Sequence, residues 1–215
     1  MNFLKNITSS ILDDQENFTD LTQVAAIDGD ACLDVLQRRF AIDQIYTHCG
    51  PLLVAINPYR MIDGLYSTDV LEKHLVLMPS EKPDPHVFGM AARAYQQMMA
   101  SGSNQAVVIS GESGAGKTET AKFLLNFLAR AAAGNSAAGA EDERSSLQRR
   151  VMGTNPIMES FGCAQTVRND NSSRFGKLVL LQFTKTGRLS AASMQTYLLE
   201  KVSGSRHARR PWPRA

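Results

Sequence analysis

The sequence is poor in cysteine and has no long apolar run. Its 215 residues include three cysteines, Cys32, Cys49 and Cys163, which are too few and too scattered for a disulfide framework or a zinc site. No stretch approaches the roughly 18–20 apolar residues that cross a bilayer, and the first residues lack the basic-then-apolar pattern of a secretion signal. We therefore expect a reduced, cytoplasmic protein without a membrane span.

The sequence also lacks a large excess of either charge. Its formal net charge is +2, and residues 202–215 contribute four arginines and no acid, so residues 1–201 alone carry a charge of −2. The basic character belongs to the C-terminal end and not to the body of the chain. This distribution does not support a nucleic-acid-binding surface, and we expect no nucleic-acid partner.

Apolar residues make up 43% and charged residues 20% of the chain, as is usual for globular domains. Their periodicity predicts helices and strands in alternation. The predicted helices cover residues 13–46, 87–99, 117–131 and 147–161, the predicted strands residues 51–56, 106–110, 177–183 and 189–197, and the predicted loops residues 132–146 and 169–173. Strand 106–110 is apolar almost throughout and is predicted to be buried on both faces. The alternation indicates an α/β layered domain.

A glycine-rich segment between strand 106–110 and helix 117–131 carries the strongest functional signal. The pattern G-x-x-x-x-G-K-[ST] is met by Gly111, Glu112, Ser113, Gly114, Ala115, Gly116, Lys117 and Thr118. The glycines allow a tight turn whose N–H groups point at phosphates, and the following helix directs its positive dipole end at the same anion. Lys117 supplies charge for the β- and γ-phosphates, and Thr118 supplies a hydroxyl for Mg²⁺. The segment predicts nucleotide binding.

Three motifs, in this order, resemble the myosin motor domain. NPYR at residues 57–60 is similar to the loop that packs against adenine, GESGAGKTE at 111–119 to the P-loop, and NDNSSRFGK at 169–177 to switch I of that family. The resemblance extends over about residues 20–201. It implies a P-loop NTPase fold with an α/β, myosin/kinesin-like motor core. It also implies the cofactors ATP and Mg²⁺, and an actin filament as the partner of the full-length protein.

The resemblance implies roles for residues on the phosphate and adenine sides of the nucleotide. Ser113 and Lys117 face the γ-phosphate, and Thr118 coordinates Mg²⁺. The adenine side is formed by Asn57, Pro58, Arg60 and Tyr66. The spacing from Asn57 to Tyr66 is one residue longer than is usual in the family, so the match at Tyr66 is the loosest of these.

In switch I the resemblance implies further roles. Asn169 bonds the phosphates, and Ser172 positions the attacking water or relays its proton. Ser173 gives Mg²⁺ a second hydroxyl, and Arg174 forms a salt bridge to a glutamate of switch II. Together with Lys117, Ser172 and Arg174 are therefore the implied catalytic residues, because phosphoryl transfer needs positioning and charge neutralisation.

The resemblance ends near Lys201. Residues 202–215 hold the sole tryptophan and show no periodicity, and Lys-Val-Ser at 201–203 fits the codons of an exon end that runs into a splice donor. A translated intron or a frameshift would produce such a tail. We expect three parts, an N-terminal extension at 1–19, a partial motor domain at 20–201 and the basic tail. On this division switch II, its central strand and most of the actin-binding surface lie outside the chain.

Two functional hypotheses follow. In the first, the chain is a fragment of an actin-based motor that binds Mg·ATP, while hydrolysis and movement belong to the full-length protein. In the second, it is a non-motile, degenerate or regulatory nucleotide-binding fragment. Both predict exposed strand edges and negligible ATPase activity for this chain alone. An unrelated P-loop kinase or GTPase is disfavoured because no base-specificity motif is present. We expect a cytoskeletal location, and the sequence does not indicate light chains.

Overall fold

The computed structural model describes residues 18–24, 28–78, 81, 83–133, 153, 155–167 and 169–198. By contacts the chain divides into two units, Met1–Gln96 and Gln97–Ala215. The first contains a short 3₁₀ turn at Leu21–Gln23, helix α1 (Gly29–Ala41), strands β1 (Tyr46–Cys49) and β2 (Leu52–Ala55), helix α2 (Thr68–Leu75) and most of helix α3 (Val87–Ser101). The second contains helices α4 (Lys117–Ala133) and α5 (Asn155–Gly162), and strands β3 (Cys163–Ala164), β4 (Ser172–Ser173), β5 (Gly176–Phe183) and β6 (Leu189–Tyr197).

Helix α1 begins and ends at identifiable local signals. The Asp28 carboxylate accepts a hydrogen bond from the N–H of Ala31 at 2.7 Å and so caps the first turn. At the other end Asp43 has a φ of 64°, and the N–H of Gln44 bonds the carbonyl of Arg39 at 2.9 Å. The prediction of a helix over residues 13–46 is therefore wrong beyond Ala41, because a left-handed residue ends the helix and the chain turns into β1. It is also wrong at 18–24 and 28, the described residues before Gly29, where only a 3₁₀ turn forms.

Strands β1 and β2 form an antiparallel hairpin with Tyr46 opposite Ala55 and Cys49 opposite Leu52. Its turn contains Gly50, whose φ is 58° and whose N–H donates to the Asp20 carboxylate at 3.0 Å. The predicted strand 51–56 is confirmed as Leu52–Ala55, in which Leu52 is 64% exposed.

A buried arginine joins α1 to this hairpin. Arg39 is 4% exposed, its Nε donates to the hydroxyl of Thr47 and its Nη2 donates to the carbonyl of Tyr46, each at 2.9 Å. Burial lowers the pKa of the guanidinium, and the charge of Asp84 opposes that shift. The two bonds fix the distance between helix and strand, and the periodicity of the sequence gave no sign of them.

In the second unit the long apolar patterns form where they are predicted. The helix predicted at 117–131 is observed at Lys117–Ala133, with Phe127 1% exposed. The predicted strands 177–183 and 189–197 are observed at Gly176–Phe183 and Leu189–Tyr197, paired antiparallel from Gly176 opposite Tyr197 to Phe183 opposite Leu189. Gly187, with a φ of 79°, lies in the turn that joins them.

The predicted strand 106–110 is not formed in the described part of the chain. The described strands make three separate two-stranded antiparallel sheets, and residues 106–110 belong to none of them. Val107 is 40% exposed and Val108 is 86% exposed, so the prediction of burial on both faces is also wrong. An apolar run becomes a strand only when a neighbouring strand supplies its hydrogen bonds. The α/β composition is confirmed, while the expected layered sheet is not observed.

Three remaining predictions fall partly on residues that the structure does not describe. Of loop 132–146, residues 132–133 extend α4 and residues 134–146 lie outside the described residues. Of helix 147–161, the described part is α5, which ends at Gly162. Loop 169–173 turns at 169–171 and then forms β4. The short helix α2 was missed, although Ser67 caps it by accepting from the N–H of Val70 at 3.4 Å.

The exposed valines predict self-association of the chain. We expect Val108→Lys to reduce the self-association of residues 1–215, measured by sedimentation velocity, because a lysine at an unpaired apolar segment opposes edge-to-edge pairing. Ala100→Lys places the same charge at an exposed position of α3 and is the control. Equal self-association of the two variants would contradict the prediction.

Candidate functional site

The glycine-rich loop has a backbone that only glycine adopts easily at three positions. Gly111, Gly114 and Gly116 have φ values of 154°, 84° and 88°. A Cβ added at Gly111 would lie 3.1 Å from the Cβ of Ala115, so the loop is closed tightly on itself. The N–H of Ala115 bonds the carbonyl of Glu112 at 3.2 Å across the turn. The sequence therefore folds into a compact turn of the kind that directs backbone N–H groups at an anion.

Helix α4 begins directly after this loop, at Lys117. The Lys117 ammonium donates to the carbonyls of Gly111 and Glu112 at 2.6 and 2.7 Å, so its charge is held over the loop. The N–H of Thr120 donates to the carbonyl of Gly116 at 2.9 Å and closes the first helical turn. The lysine and the positive end of the α4 dipole thus act at the same place, which favours an anionic ligand.

A hydrogen bond joins the two predicted halves of the phosphate site. The hydroxyl of Ser113, in the glycine-rich loop, donates to the hydroxyl of Ser172 at 2.6 Å, although 59 residues separate them in the chain. Ser172 is 2% exposed. Two serines that the sequence assigns to the γ-phosphate and to the attacking water are therefore neighbours in the fold.

Strand β4 holds Ser172 in place through its pairing with β3. Cys163 lies opposite Ser173 and Ala164 opposite Ser172. The N–H of Arg174 extends this pairing by donating to the carbonyl of Gly162 at 2.8 Å. Because side chains alternate along a strand, Ser172 and Ser173 point to opposite sides. Ser173 is exposed, and its Oγ lies 3.6 Å from the Cys163 sulfur.

The turn before β4 is closed by Asn169. Its Oδ1 accepts from the N–H of Asn171 at 3.0 Å, which makes an Asx turn. Its backbone carbonyl accepts from both the N–H and the hydroxyl of Thr166, at 2.8 and 3.0 Å. The Asn169 amide therefore braces the loop in this structure, and its predicted contact with phosphates stays a prediction.

Arg174 follows β4 and is exposed. Among the described residues no carboxylate lies within ion-pair distance of its guanidinium, so the predicted salt bridge is not formed within them. Three residues on, in β5, the Lys177 ammonium lies 5.7 Å from the ring centroid of Phe175. Burial lowers the pKa of Lys177, and the charge of Glu159 opposes that shift. The end of switch I thus carries two cationic side chains.

The residues predicted for the adenine side lie in the first unit, and the phosphate residues lie in the second. The side-chain Oδ1 of Asn57 accepts from the N–H of Tyr59 at 2.9 Å, which closes the turn at Pro58. Arg60 forms an exposed ion pair with Asp43. Tyr66 is half-buried, and its hydroxyl bonds the hydroxyl of Tyr46 at 2.8 Å. Within its unit Tyr66 acts as a packing residue, and its role toward adenine stays a prediction.

Sequence reasoning missed the residues that position the site. Cys163 was read only as a scattered cysteine, whereas it pairs with Ser173 and places switch I. Tyr46 was assigned to a helix, whereas it is 4% exposed and holds Tyr66. The run Ile-Tyr-Thr at 45–47, rich in β-branched and aromatic residues, was a usable signal for β1. No comparable signal marks the two-residue strand β3.

Comparisons with known proteins agree on one family. The family model described as "Myosin head (motor domain)" matches residues 18–210. Myosin-8 and Myosin-15 of Arabidopsis thaliana are 42% identical over 182 residues and 41% identical over 191 residues. These alignments cover 85% and 88% of this chain and 12% of each relative. Myosin IC heavy chain of Dictyostelium discoideum is 40% identical over 186 residues, which cover 86% of this chain and 16% of that relative.

The chain therefore spans 12–16% of the length of these relatives. The family match reaches residue 210 and so includes most of the predicted basic tail. Residues 199–215 lie outside the described residues, and the division of the chain at residue 201 stays a prediction. None of the helices in the described ranges has the length and apolar content needed to cross a bilayer.

The bond between Ser113 and Ser172 predicts a measurable coupling energy. In a double-mutant cycle of Ser113→Ala and Ser172→Ala, we expect a coupling of about 1 kcal/mol in the free energy of unfolding, as for a partly buried hydrogen bond. Urea unfolding, followed at amide resonances of α4, provides the measurement. Ser110→Ala replaces Ser113→Ala in the control cycle, because Ser110 is exposed and lies in the same segment. A coupling as small as that of the control cycle would contradict the assigned contact.

Proposed function

The chain belongs to the myosin head (motor domain) family, and from that membership we propose that it binds Mg·ATP as the nucleotide-binding part of an actin-based motor. Membership implies a P-loop NTPase fold. The observation that supports nucleotide binding most directly is the junction of the P-loop with switch I, made by the 2.6 Å bond between Ser113 and Ser172 beside the tethered ammonium of Lys117.

The phosphates are bound by the P-loop backbone and by Lys117. The three glycines give the loop a closed shape, and the ammonium already contacts two carbonyl oxygens there. A charged phosphate oxygen is a stronger hydrogen-bond acceptor for an ammonium than a neutral carbonyl is. Exchange of the carbonyls for the ligand is therefore favourable for Lys117. Ser113 and Asn169 complete the phosphate contacts. Ser172 is the residue that positions the attacking water.

Mg²⁺ fits this site through hydroxyl groups. The described residues contain no group of three or more His, Cys, Asp or Glu side chains that could hold a metal ion. Thr118, in the first turn of α4, and Ser173, on β4, supply two neutral oxygens, and phosphate oxygens and waters complete the shell that this cation prefers. Ser173 is exposed, and its Oγ lies 3.6 Å from the Cys163 sulfur on the side of β4 opposite to Ser172, so it has to turn toward the P-loop to reach the ion. When bound, the ion neutralises the charge of the phosphates.

The adenine side belongs to the first unit. Asn57 and Pro58 form a closed turn, and Arg60 is exposed beside it, paired with Asp43. An exposed arginine next to a proline offers a flat cationic group and an apolar ring to a base. Tyr66 contributes its ring from a half-buried position. These four residues are the proposed adenine contacts.

Hydrolysis and movement are proposed for the longer protein of which the chain covers a small share. Arg174 is exposed, and its partner in the family is a switch II glutamate. The actin filament is the proposed partner of that longer protein, and a cytoskeletal location follows from it. Within residues 1–215 we assign nucleotide binding alone.

A non-motile, regulatory nucleotide-binding fragment is the second candidate. The exposure of Val107 and Val108 favours it. Among the described residues the segment before the P-loop has no strand partner, so the P-loop lacks the support of a sheet that a motor core gives it. The two candidates share the site and differ in turnover.

Substitution of the P-loop lysine tests the proposal. We expect Lys117→Ala to weaken Mg·ATP binding to residues 1–215 by about 10- to 100-fold, because it removes a charge-assisted hydrogen bond to phosphate. Isothermal titration measures the dissociation constant. Lys122→Ala is the matched control, since Lys122 lies on the same helix and pairs with Glu119 instead. A similar loss in both variants, or no ATP binding to the unmodified chain, would refute the proposed role of Lys117. A preference for GTP would favour an unrelated P-loop enzyme.

Turnover gives a separate test. We expect phosphate release from Mg·ATP by residues 1–215 to equal that of Lys117→Ala, because Arg174 lacks a described carboxylate partner and the site does not close around water. Steady-state phosphate release, with and without actin filaments, is the measurement. Release by the unmodified chain that clearly exceeds the variant would show that these residues suffice for hydrolysis.

A further inference from the structure

Two histidines meet in the core of the first unit. His74 lies on α2 and His86 lies just before α3. Their ring centroids are 5.0 Å apart, and both residues are 4% exposed. Tyr46, Tyr66 and Phe88 surround His86 with ring centroids at 5.2, 5.8 and 4.6 Å. The cluster brings together β1, the segment before α2, α2 itself and the start of α3.

His86 makes two hydrogen bonds of opposite kind. Its Nδ1 accepts from the N–H of Phe88 at 3.1 Å, and its backbone carbonyl accepts from the N–H groups of Gly89 and Met90, so the residue caps α3. Its Nε2 lies 3.1 Å from the carbonyl of Leu65, which only accepts, so Nε2 carries the proton. The His86 ring can make both hydrogen bonds only when it is neutral and carries its proton on Nε2.

His74 is held in the other tautomer. Its Nδ1 lies 2.7 Å from the carbonyl of Val70, so Nδ1 carries the proton. Its Nε2 is buried and has no hydrogen-bond partner among the described residues. A proton at that Nε2 would be a buried donor without an acceptor, so the neutral form is favoured here as well.

We propose that His74 and His86 form an acid-sensitive clasp, in which the neutral His86 ring joins the start of α3 to the segment Leu65–Tyr66 and a proton on Nδ1 releases the start of α3 while the bond to Leu65 is kept. This inference does not depend on nucleotide binding, because every contact in it lies within the first unit. Its consequence for the site is positional, since Tyr66 follows Leu65 directly and bonds Tyr46.

Protonation at Nδ1 removes one hydrogen bond and places a charge where it is unfavourable. The proton takes the place of the lone pair that accepts from Phe88, so that capping bond is lost. The positive charge then stands at the N-terminus of α3, where the helix dipole opposes it. The His74 ring, 5.0 Å away, is itself neutral, and a charge on both rings would add repulsion.

Among the residues that the structure describes, the other titratable groups at the clasp supply no counter-charge in contact with the His86 ring. Lys73 on α2 pairs with Asp84 at 3.6 Å, and both side chains are largely exposed. Arg39, on α1, is cationic and bonds the carbonyl of Tyr46. Burial and the bond with Tyr66 raise the pKa of Tyr46, which therefore stays neutral. The carboxylate of Asp84 acts on His74 more weakly than burial does.

The pH window follows from His86. Burial, followed by the charge of His74, lowers its pKa to about 4, and the bond to Leu65 opposes this shift. The unfolded chain takes up the proton near pH 6.5. The stabilising contribution is therefore complete above pH 6.5 and is lost as the pH falls toward 4. By pH 4 the ratio of folded to unfolded molecules has fallen by about 150-fold through this residue alone, and the full loss of about 300-fold is reached only well below pH 4.

The first experiment uses the unmodified chain. In ¹⁵N-labelled residues 1–215, long-range ¹H–¹⁵N spectra should show His86 protonated at Nε2 and His74 at Nδ1 at pH 7.5. On acidification the amide of Phe88 should lose its protection from hydrogen exchange when the His86 ring takes up its proton. A His86 ring protonated at Nδ1 overturns the proposal. So does a ring that titrates near pH 6.5 while the amide of Phe88 stays protected.

The second experiment separates the two bonds. His86→Asn keeps an acceptor for the helix cap, and His86→Gln keeps a donor for Leu65, while neither side chain titrates. Between pH 7.5 and 4.5 the folded-to-unfolded ratio of the unmodified chain should fall by a factor about 70 times larger than that of either variant. Urea unfolding, followed at amide resonances of the first unit, measures this ratio. His48→Gln removes a half-buried histidine outside the clasp and should behave like the unmodified chain. A stability gap that is the same at both pH values would show that His86 only packs, and would overturn the proposal.

Discussion

The backbone of the glycine-rich turn is the constraint on which the rest of the second unit depends. Gly111, Gly114 and Gly116 adopt φ values that an L side chain resists, and the loop closes so tightly that α4 begins at the next residue. That start places the charge of Lys117 and the helix dipole at one point. It also leaves Ser113 close enough to meet Ser172. A side chain at Gly111 would strike Ala115 and disturb all of these relations together.

The first unit is organised by a different rule, the satisfaction of buried polar groups. Asp20 accepts from the N–H groups of Thr22 and Gly50, so one carboxylate closes both a 3₁₀ turn and a hairpin. Arg39 bonds Tyr46 and Thr47, and His86 bonds Leu65 and the start of α3. Each of these side chains replaces a backbone partner where the chain changes direction. They act over distances of 2 to 30 residues, which is why removal of one would loosen more than one element.

Local patterns in the sequence predicted the elements whose stability is local. Helix α4, the hairpin β5–β6 and the glycine-rich turn all form where apolar periodicity and turn residues indicate them. Segment 106–110 shows the limit of such predictions. Its composition predicts a strand, but a strand forms only with a partner that is distant in the sequence, and local composition does not indicate that partner. The boundary of α1 shows another, since the left-handed Asp43 has no propensity signal of its own. For the site, the motifs indicated Ser113 and Ser172 as site residues but not the hydrogen bond between them, and Cys163 and Tyr46, which support switch I and Tyr66, carry no motif.

The brevity of the β3–β4 pairing has a consequence for how the site changes over time. Two residue pairs and one further bond, from Arg174 to Gly162, hold Ser172 in position. Local opening of so short a ladder costs far less than unfolding of α4 or of the eight-residue strand β5. The lifetime of a ligand that contacts the two serines is therefore set by local opening of the β3–β4 pair. This opening is much faster than unfolding of the surrounding structure.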